Sequence, residues 1–264
     1  MVIVIMGVVG GMVAVFMRSP IDAYFATGRR AGLADAADST LRRMSRDMRK
    51  ALPNSIVLNG TQCVDFIPTK TGGRYRADDS AAALNFSAAD TDFNMLGANP
   101  TAADQTIQIN DFVVVYNLGI SGADAYAGNN RAQISNVTTA VGSNPVETAI
   151  TIASTQFPLS SPGNRFHVVS GTERVVSYAC TPQRTLVRAV NTASFATNCQ
   201  AGGVVSASGT VLVSVLAQNV DPNACSFAYD SSAQRDGLLR LTLQMTDSGE
   251  TVSLQHQIHV DNTP

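Results

Sequence analysis

The first 17 residues of the chain, Met1–Met17, contain no charged side chain, and Arg18 follows them directly. Three kinds of segment have such a pattern: a secretory signal peptide, a membrane-spanning helix and a buried helix of a soluble protein. A signal peptide has positive charge before its apolar stretch and a small-residue cleavage site after it, and neither is found here. A membrane span needs about 20 apolar residues, so these 17 are a few short of a full span unless further residues precede Met1. The pattern favours a membrane helix, and we expect a basic leader upstream of Met1 to complete it.

Helical periodicity continues beyond this apolar segment. Apolar side chains recur at steps of three and four residues, and Arg and Lys side chains occupy the other faces. We predict that Pro20 kinks the helix without ending it. The helix should end at Leu52, because Pro53 disfavours helical geometry at the residue before it. The apolar stripe, which we expect to dock on the rest of the protein while residues 1–25 do not, consists of Leu33, Ala37, Leu41, Met44, Met48 and Leu52.

A helix over residues 1–52 would be about 78 Å long at 1.5 Å per residue, more than a single globular core can cover. Its first half must therefore pack against lipid or other subunits. Gly7 and Gly11 lie four residues apart, a spacing that lets two helix backbones approach closely in a membrane, although small residues are also common in membrane spans. The expected helix-packing residues are Gly7 and Gly11 in the apolar segment and Leu41, Met44 and Met48 in the stripe.

Composition and charge exclude several classes of protein. Hydrophobic residues make up 45% of the 264 residues, which argues against intrinsic disorder. Charged residues make up 14%, against roughly 25% in an average soluble domain. Residues 1–50 hold eight Lys or Arg and four Asp, a net charge of +4, whereas residues 51–264 hold ten basic and sixteen acidic residues, a net charge of −6. The acidic larger part would repel phosphate backbones, so we expect no nucleic-acid partner.

The four cysteines, Cys63, Cys180, Cys199 and Cys225, form no CxxC pair, which argues against a zinc ribbon or a thioredoxin-type redox motif. Disulfides in an oxidising compartment are the better interpretation. Four cysteines allow three pairings. We favour Cys180 with Cys225, because one ends a predicted strand and the other begins one, as neighbouring antiparallel strands require. Cys63 with Cys199 then follows by elimination.

The chain after residue 53 is predominantly β. Helix formers are rare there, with one Lys and three Glu, while Val, Thr, Ser and Asp dominate. Residues 68–105 and 117–148 are rich in Gly, Ala, Asp and Asn and are predicted to be mostly long surface loops. The candidate strands are Ser55–Leu58, Cys63–Ile67, Ala83–Phe86, Thr106–Ile109, Phe112–Tyr116, Ala149–Ile152, Phe166–Val169, Glu173–Cys180, Arg184–Val190, Val211–Leu216, Ser226–Tyr229, Leu238–Met245 and Glu250–Val260.

Two hairpins are the clearest predictions within this β region. Thr-Pro-Gln joins Glu173–Cys180 to Arg184–Val190, and Thr-Asp-Ser-Gly joins Leu238–Met245 to Glu250–Val260. Both connecting segments contain the residues that tight turns prefer. The predicted fold class is therefore α+β, with a long N-terminal helix packed on a large antiparallel β-sheet head.

Five stretches of the sequence carry a resemblance to known proteins. They are Leu41–Ile56 (LRRMSRDMRKALPNSI), Gly72–Arg76 (GGRYR), Val176–Cys180 (VSYAC), Cys225–Tyr229 (CSFAY) and the ending His256–Pro264 (HQIHVDNTP). Together with an apolar segment that runs into an amphipathic helix, they resemble type IV pilin-like minor pilins and pseudopilins. The similarity is to the large O-type minor pilins of mannose-sensitive haemagglutinin pilus systems and to J-type minor pseudopilins.

This resemblance implies a pilin fold whose helix, residues 1–52, is membrane-embedded in its first half, and a β-rich periplasmic or extracellular head, residues 53–264. It implies a structural and assembly role in a type IV pilus or a type II secretion pseudopilus. The partners would be other minor and major pilins, the inner membrane before assembly, and prepilin peptidase, which cuts a basic leader expected upstream of Met1. The protein would sit in the inner membrane by a single pass and reach the cell surface after assembly.

No motif for catalysis is present. The sequence lacks Gly-x-Ser-x-Gly, a Walker-type loop, His-Glu-x-x-His and a dinucleotide fingerprint, so we expect no enzymatic activity and no cofactor. A membrane-anchored periplasmic enzyme is the least favoured alternative. A pilus-tip adhesin, whose long loops bind a surface or glycan, is the second hypothesis and is compatible with a pilin role.

Candidate metal ligands are few. His256 and His259 are three residues apart on a predicted strand, so they should point to opposite faces of the sheet and not share a metal. His167 is expected to be a half-buried strand residue. Related pseudopilins bind calcium in a loop, and Asp90 with Asp92, or Asp78 with Asp79, are the residues that could join such a site. Neither pair has the alternating oxygen ligands of an EF-hand, so we expect solvated carboxylates.

Overall fold

The structure, a computed structural model, describes the chain except for residues 79, 81, 141–145, 207–209 and 231–235. Its described part is α+β, with one long N-terminal helix followed by antiparallel sheets. The helix is α1 (Val2–Met48). The strands are β1 (Val57–Leu58), β2 (Cys63–Phe66), β3 (Thr71–Arg74), β4 (Asp90–Leu96), β5 (Phe112–Val115), β6 (Arg131–Ala140), β7 (Glu147–Thr155), β8 (Arg165–Val169), β9 (Val175–Cys180), β10 (Thr185–Asn191), β11 (Cys199–Gln200), β12 (Val204–Val205), β13 (Val211–Gln218), β14 (Ser226–Asp230), β15 (Asp236–Asp247) and β16 (Glu250–Asp261).

Helix α1 runs through Pro20 without interruption, as predicted, but it ends at Met48 and not at Leu52. After Met48 the chain tightens, with the Lys50 N–H donating to the Asp47 carbonyl at 3.0 Å. The Leu52 N–H then donates to the Ile67 carbonyl at 2.7 Å. Pairing with the chain beside Ile67 therefore replaces the last helical turn before Pro53.

Two sheets enclose the second half of α1. One has five strands in the order β1-β2-β9-β10-β13, and the other has three in the order β14-β15-β16. The helix contacts β13, β15 and β16. The shared core contains the stripe residues Leu33, Ala37, Leu41, Met44 and Met48 together with side chains from both sheets, among them Phe66, Tyr178, Leu186, Phe227, Leu241 and Ile258. We call this unit the helix body.

Both predicted hairpins are present. Strands β9 and β10 pair antiparallel, and so do β15 and β16, the latter over twelve residue pairs from Asp236↔Asp261 to Asp247↔Glu250. Ser248 and Gly249 form the turn of the second hairpin, with φ of 48° and 84°. Two successive residues with positive φ match the right-handed twist of the strands that they join, which explains the glycine.

The prediction of long surface loops at 68–105 and 117–148 is wrong in large part, because these residues contribute β3, β4 and all of β6. The strands join a six-stranded antiparallel sheet in the order β3-β8-β5-β6-β7-β4. Its two outer strands also meet, since Tyr75 pairs with Met95 and the Arg76 N–H donates to the Asn94 carbonyl at 2.8 Å. The sheet therefore closes around a core of its own that includes Phe93, Ile134, Ile150, Phe157, Phe166 and Val168.

Two predicted strands, Ala83–Phe86 and Thr106–Ile109, are not strands in the structure. Each places apolar side chains in or against the core of the closed sheet, Leu84 and Phe86 from the first and Ile107 from the second. In the sequence, a short apolar stretch of this kind has the same pattern as a buried strand. Here it instead anchors a connecting segment.

A third apolar cluster joins the closed sheet to the helix body. It contains Leu52, Ile67, Phe112, Val114, Ala125, Val169, Val175 and Phe195. The rings of Phe112 and Phe195 meet edge to face at 5.0 Å, and the Arg131 guanidinium lies 4.0 Å from the Phe195 centroid. Because Leu52 follows the C-terminal end of α1, the closed sheet lies at the helix end opposite the apolar segment. We call residues 69–172 the distal lobe.

Candidate functional site

The N-terminal part of α1, residues 1–28, is the most unusual surface of the molecule, and we call it the free segment. Every side chain described within residues 1–25 is exposed, as the sequence predicted for this part of the helix. Ile3 is 87% and Phe16 is 84% exposed. The large apolar side chains that are more than half exposed are Met1, Val2, Ile3, Val4, Ile5, Met6, Val8, Val9, Met12, Val13, Phe16, Tyr24 and Phe25.

These side chains surround the helix. Successive residues of an α-helix are about 100° apart, so the run Val2–Met6 alone covers the full circumference. Soluble monomers rarely expose contiguous apolar patches larger than a few hundred Å². The free segment is therefore suited to pack against other apolar material on all sides. Among the described residues, no helix meets the length and hydropathy needed to cross a membrane.

Gly7 and Gly11 lie on one face of the free segment, one helical turn apart. A Cβ atom added at either glycine would meet no described atom within 4 Å apart from the backbone of its own helical turn and its chain neighbours. The surface above both glycines is therefore open to another molecule. A helix that packs there can approach closely, because neither position holds a side chain that keeps it away.

An ionic contact marks the point where α1 enters the head. The Arg30 guanidinium contacts the Glu250 carboxylate, and Arg29 lies 4.0 Å from the same group. Glu250 begins β16, and its side chain is 14% exposed. Sequence analysis did not single out Glu250, although it is one of only three glutamates after residue 53. The ion pair holds the helix against the turn of the β15–β16 hairpin.

The predicted stripe begins immediately after this contact. All six stripe residues are buried, with Leu41 4%, Met44 1% and Met48 0% exposed. Fully burying an apolar side chain of this size stabilises a fold by about 1.5–3 kcal/mol. The two halves of one helix therefore differ sharply: the second half belongs to the core of the head, and the first half has no core of its own.

A polar cluster fixes the C-terminal end of α1. The Asp47 carboxylate accepts hydrogen bonds from the Tyr178 hydroxyl at 2.6 Å and from Arg188 Nε at 2.9 Å. Arg188 also contacts the Glu173 carboxylate. Burial, and secondly the hydrogen bond to Asp47, raise the pKa of the Tyr178 hydroxyl. The cluster sets the rotation of the helix on the sheet, because Asp47 can meet both partners in only one orientation of α1.

Next to this cluster is a polar cavity of about 380 Å³ between the helix end and the distal lobe. Its lining combines three cations, three carboxylates and several hydroxyls. The polar residues are Asp47, Lys50, Thr69, Lys70, Asp104, Gln108, Ser170, Thr172, Glu173 and Arg188. A pocket of this chemistry suits a polar ligand with groups of both charges.

The structure contains both disulfides favoured from the sequence. Cys180–Cys225 joins the end of β9 to the chain just before β14, so it ties the five-stranded sheet to the three-stranded sheet around the helix. Cys63–Cys199 joins β2 to β11. The first bridge lies within the core that buries the stripe, and it therefore fixes the groove into which α1 docks.

The three histidines lie apart from one another. His256 lines a groove beside Arg42 and Arg46 on the helix side of β16, whereas His259 is exposed on the opposite face, as predicted. His167 is half-buried in β8, as predicted, and burial lowers its pKa. Its Nε2 is buried and has no hydrogen-bond partner among the described residues.

The acidic residues considered for calcium contact the chain itself. Asp78 binds Arg76 and Ser80, and Asp90 accepts the Asn85 N–H at 2.7 Å. Asp79 lies outside the described residues. Within the described ranges, no three His, Cys, Asp or Glu side chains gather as metal ligands would.

Comparison with known proteins returns nothing that bears on this site. No protein family, curated protein or solved structure matches the chain. The feature of the molecule that points to a function is the division of α1 into a free half and a docked half.

Proposed function

We propose that this protein is a minor pilin or pseudopilin, a structural component that helps to initiate or cap a type IV pilus or a type II secretion pseudopilus. The observation that carries the proposal is helix α1 itself. Residues 1–25 expose apolar side chains on every face, while Leu33–Met48 bury a stripe in a disulfide-linked head. Such a helix can join a folded head to a filament, because one half packs in the core of the head and the other half is free to pack in the filament.

The free segment is suited to two successive environments, the membrane and the assembled filament. Before assembly it would lie in the inner membrane, with the head in the periplasm, after prepilin peptidase has removed a leader. During assembly it would pack among the helices of other minor and major pilins. Lipid tails and helix side chains are similarly apolar, so this transfer changes polarity little, and close packing at Gly7 and Gly11 supplies the contact energy.

The head supports an exported location. Disulfides persist in the periplasm and at the cell surface, where thiols are not kept reduced. Both bridges lie in the head, and Cys180–Cys225 fixes its two sheets around the docked half of α1. A filament subunit outside the cell benefits from such a fixed groove, because a pull on the helix must break the packing of the stripe.

The test is deletion of the gene in the native cell, followed by complementation. Wild type should restore filament number, length and the associated function. Gly11→Leu should fail to restore them, because the new side chain fills the space above the helix face. Met12→Leu is the matched control, since it exchanges one large apolar side chain for another on the neighbouring position. Normal filaments after deletion, or full rescue by Gly11→Leu, would count against the proposal.

A second candidate function is a pilus-tip adhesin. The position of the distal lobe favours it, since the polar cavity beside Lys50 and Asp104 lies at the helix end away from the free segment. A filament that buries the free segment would leave this end outward. Lys50→Ala should then reduce attachment to a surface or glycan while filaments still form. Arg240→Ala, which removes a charge from an exposed position on β15, should leave attachment unchanged.

A further inference from the structure

Strand β13 forms an outer edge of the five-stranded sheet. It pairs with β10 on one side, from Thr185↔Gln218 to Asn191↔Val211. On its other side, no strand of the described residues pairs with it. An outer strand presents a row of backbone N–H and C=O groups that can pair with another chain.

The backbone groups that face outward can be identified. The Thr192 N–H donates to the Thr210 carbonyl at 3.0 Å, so Thr210 points its backbone groups toward β10. Direction alternates along an antiparallel strand, and the pairing with β10 is regular up to Val215. Val211, Val213 and Val215 therefore point their N–H and C=O groups away from β10. They provide three donors and three acceptors in register.

Strand β13 carries no charged side chain, and large apolar side chains are exposed on both of its faces. Leu212 is 63%, Val213 52% and Val215 55% exposed. No Asp, Glu, Lys, Arg or His occurs from Ala189 to Val220, a run of 32 residues. Natural outer strands are normally protected by charges, prolines or short length. Strand β13 has eight residues and none of these charges or prolines.

Other outer strands of the described structure are protected. Strand β1 has only two residues, and β3 and β4 close on each other at Tyr75 and Met95. Strand β16 carries Glu250, His256, His259 and Asp261 and lies against α1. Strand β14 is covered in part, since the Phe227 N–H donates to the Thr61 carbonyl at 2.7 Å, and β11 and β12 have two residues each. Among the described strands, β13 is therefore the long outer strand without such protection.

We propose that β13 is a docking edge for an extended, uncharged strand of another polypeptide, which adds to the five-stranded sheet through Val211, Val213 and Val215. A polypeptide is the ligand that offers alternating N–H and C=O groups at the spacing of a strand. Its side chains should be uncharged, because β13 itself carries no charge that could pair with one. A second copy of this chain, whose full net charge is −2, is the alternative occupant that the dimerisation outcome below tests. The proposal is independent of the function proposed above.

The experiment uses the full chain in detergent and a soluble probe peptide, Lys-Lys-Thr-Val-Thr-Val-Thr-Lys-Lys. Binding is followed by fluorescence anisotropy, and hydrogen exchange reports the amides of Val211, Val213 and Val215. The control peptide has the same sequence with an N-methyl group on every residue of its Thr-Val-Thr-Val-Thr part, so it keeps the charges and loses the donors on both edges. We expect saturable binding of the first peptide only, with exchange at the three amides slowed by about tenfold or more.

Two protein variants locate the site. Val213→Pro removes one outward donor and places a ring on the edge, whereas the N–H that it removes makes no bond to β10. Val213→Thr keeps the donor and the β-branched shape. Val213→Pro should abolish binding, and Val213→Thr should bind like wild type. Equal binding of both peptides, no saturable binding, or unchanged binding by Val213→Pro would overturn the proposal. So would dimerisation of the wild type that Val213→Pro removes, because it would assign the edge to a second copy.

Discussion

Met44 and Met12 provide a direct test of the division of α1, because they are the same residue on the same helix. Met44 is 1% exposed within the core of the helix body, and Met12 is 64% exposed on the free segment. Truncation of a buried Met to Ala costs about 2–5 kcal/mol, which combines lost burial with the cavity that remains. Truncation of an exposed side chain changes stability by less than about 0.5 kcal/mol. We expect Met44→Ala to destabilise the head and Met12→Ala to leave its stability unchanged.

A loss of about 3 kcal/mol corresponds to a fall in Tm of roughly 6–12 °C for a domain of this size. The assay is thermal unfolding of the detergent-solubilised full chain, followed by near-ultraviolet circular dichroism of tyrosine. The chain has six Tyr and no Trp, and Tyr178 lies in the same core as Met44. Equal shifts for the two variants, or a Met44→Ala shift below about 2 °C, would refute the assignment of residues 33–48 to the core.

Three further predictions concern the head. Burial lowers the pKa of His167 from its ordinary value of 6.5, so the unfolded chain takes up a proton that the folded chain resists. As pH falls below 6.5, wild type should therefore lose free energy of unfolding relative to His167→Gln in urea titrations. Replacing Cys63 and Cys199 together by Ser should cost about 5 kcal/mol in the chain-entropy model, because they are 136 residues apart; urea unfolding of this variant and of wild type, both without reductant, measures this. Tyr178→Phe removes a hydrogen bond to Asp47 and should cost about 0.5–1.5 kcal/mol in the same titration.

The sequence was sufficient to predict the helix and its buried stripe. The 3.6-residue period of Leu33, Ala37, Leu41, Met44 and Met48 is long and uninterrupted, and packing on one side of a helix produces that pattern directly. The β15–β16 hairpin was equally predictable, because alternation over many residues flanks a turn that contains Gly249. In both elements, local preference and tertiary packing agree.

Strands β5, β7 and β8 of the distal lobe coincide with predicted strands, whereas β3, β4 and β6 were not predicted, because these three conceal their pattern. Strand β3 contains Gly72 and Gly73, which sequence rules assign to loops. A Cβ on Gly73 would lie 2.7 Å from the Met95 sulfur, and one on Gly72 would lie 2.9 Å from the Phe166 carbonyl oxygen. At Gly72 the close atom is backbone and cannot move aside, so glycine is required there by close packing within the closed sheet and not by a turn. Sequence alone contains no signal for that requirement.

Irregular register hides β4 and β6 in the same way. The pairing of β6 with β7 shifts between Ile134 and Asn136, and that of β4 with β7 shifts between Asp90 and Asp92. Each shift interrupts the two-residue alternation on which strand prediction depends. The polar cavity is lined in part by residues of the distal lobe, so it was not predicted from the sequence either.

The measurement that tests the central claim most directly is site-specific photocrosslinking in the native cell. A photoreactive amino acid at Val9, on the free segment, reports what surrounds the apolar half of α1. The same group at Val57, exposed on β1 of the head, is the control. We predict that Val9 forms crosslinks to other pilin subunits in sheared surface filaments, whereas Val57 gives a different set of products or none. Recovery of filaments that lack this protein, or crosslinks from Val9 only to lipid or to its own head, would contradict the account.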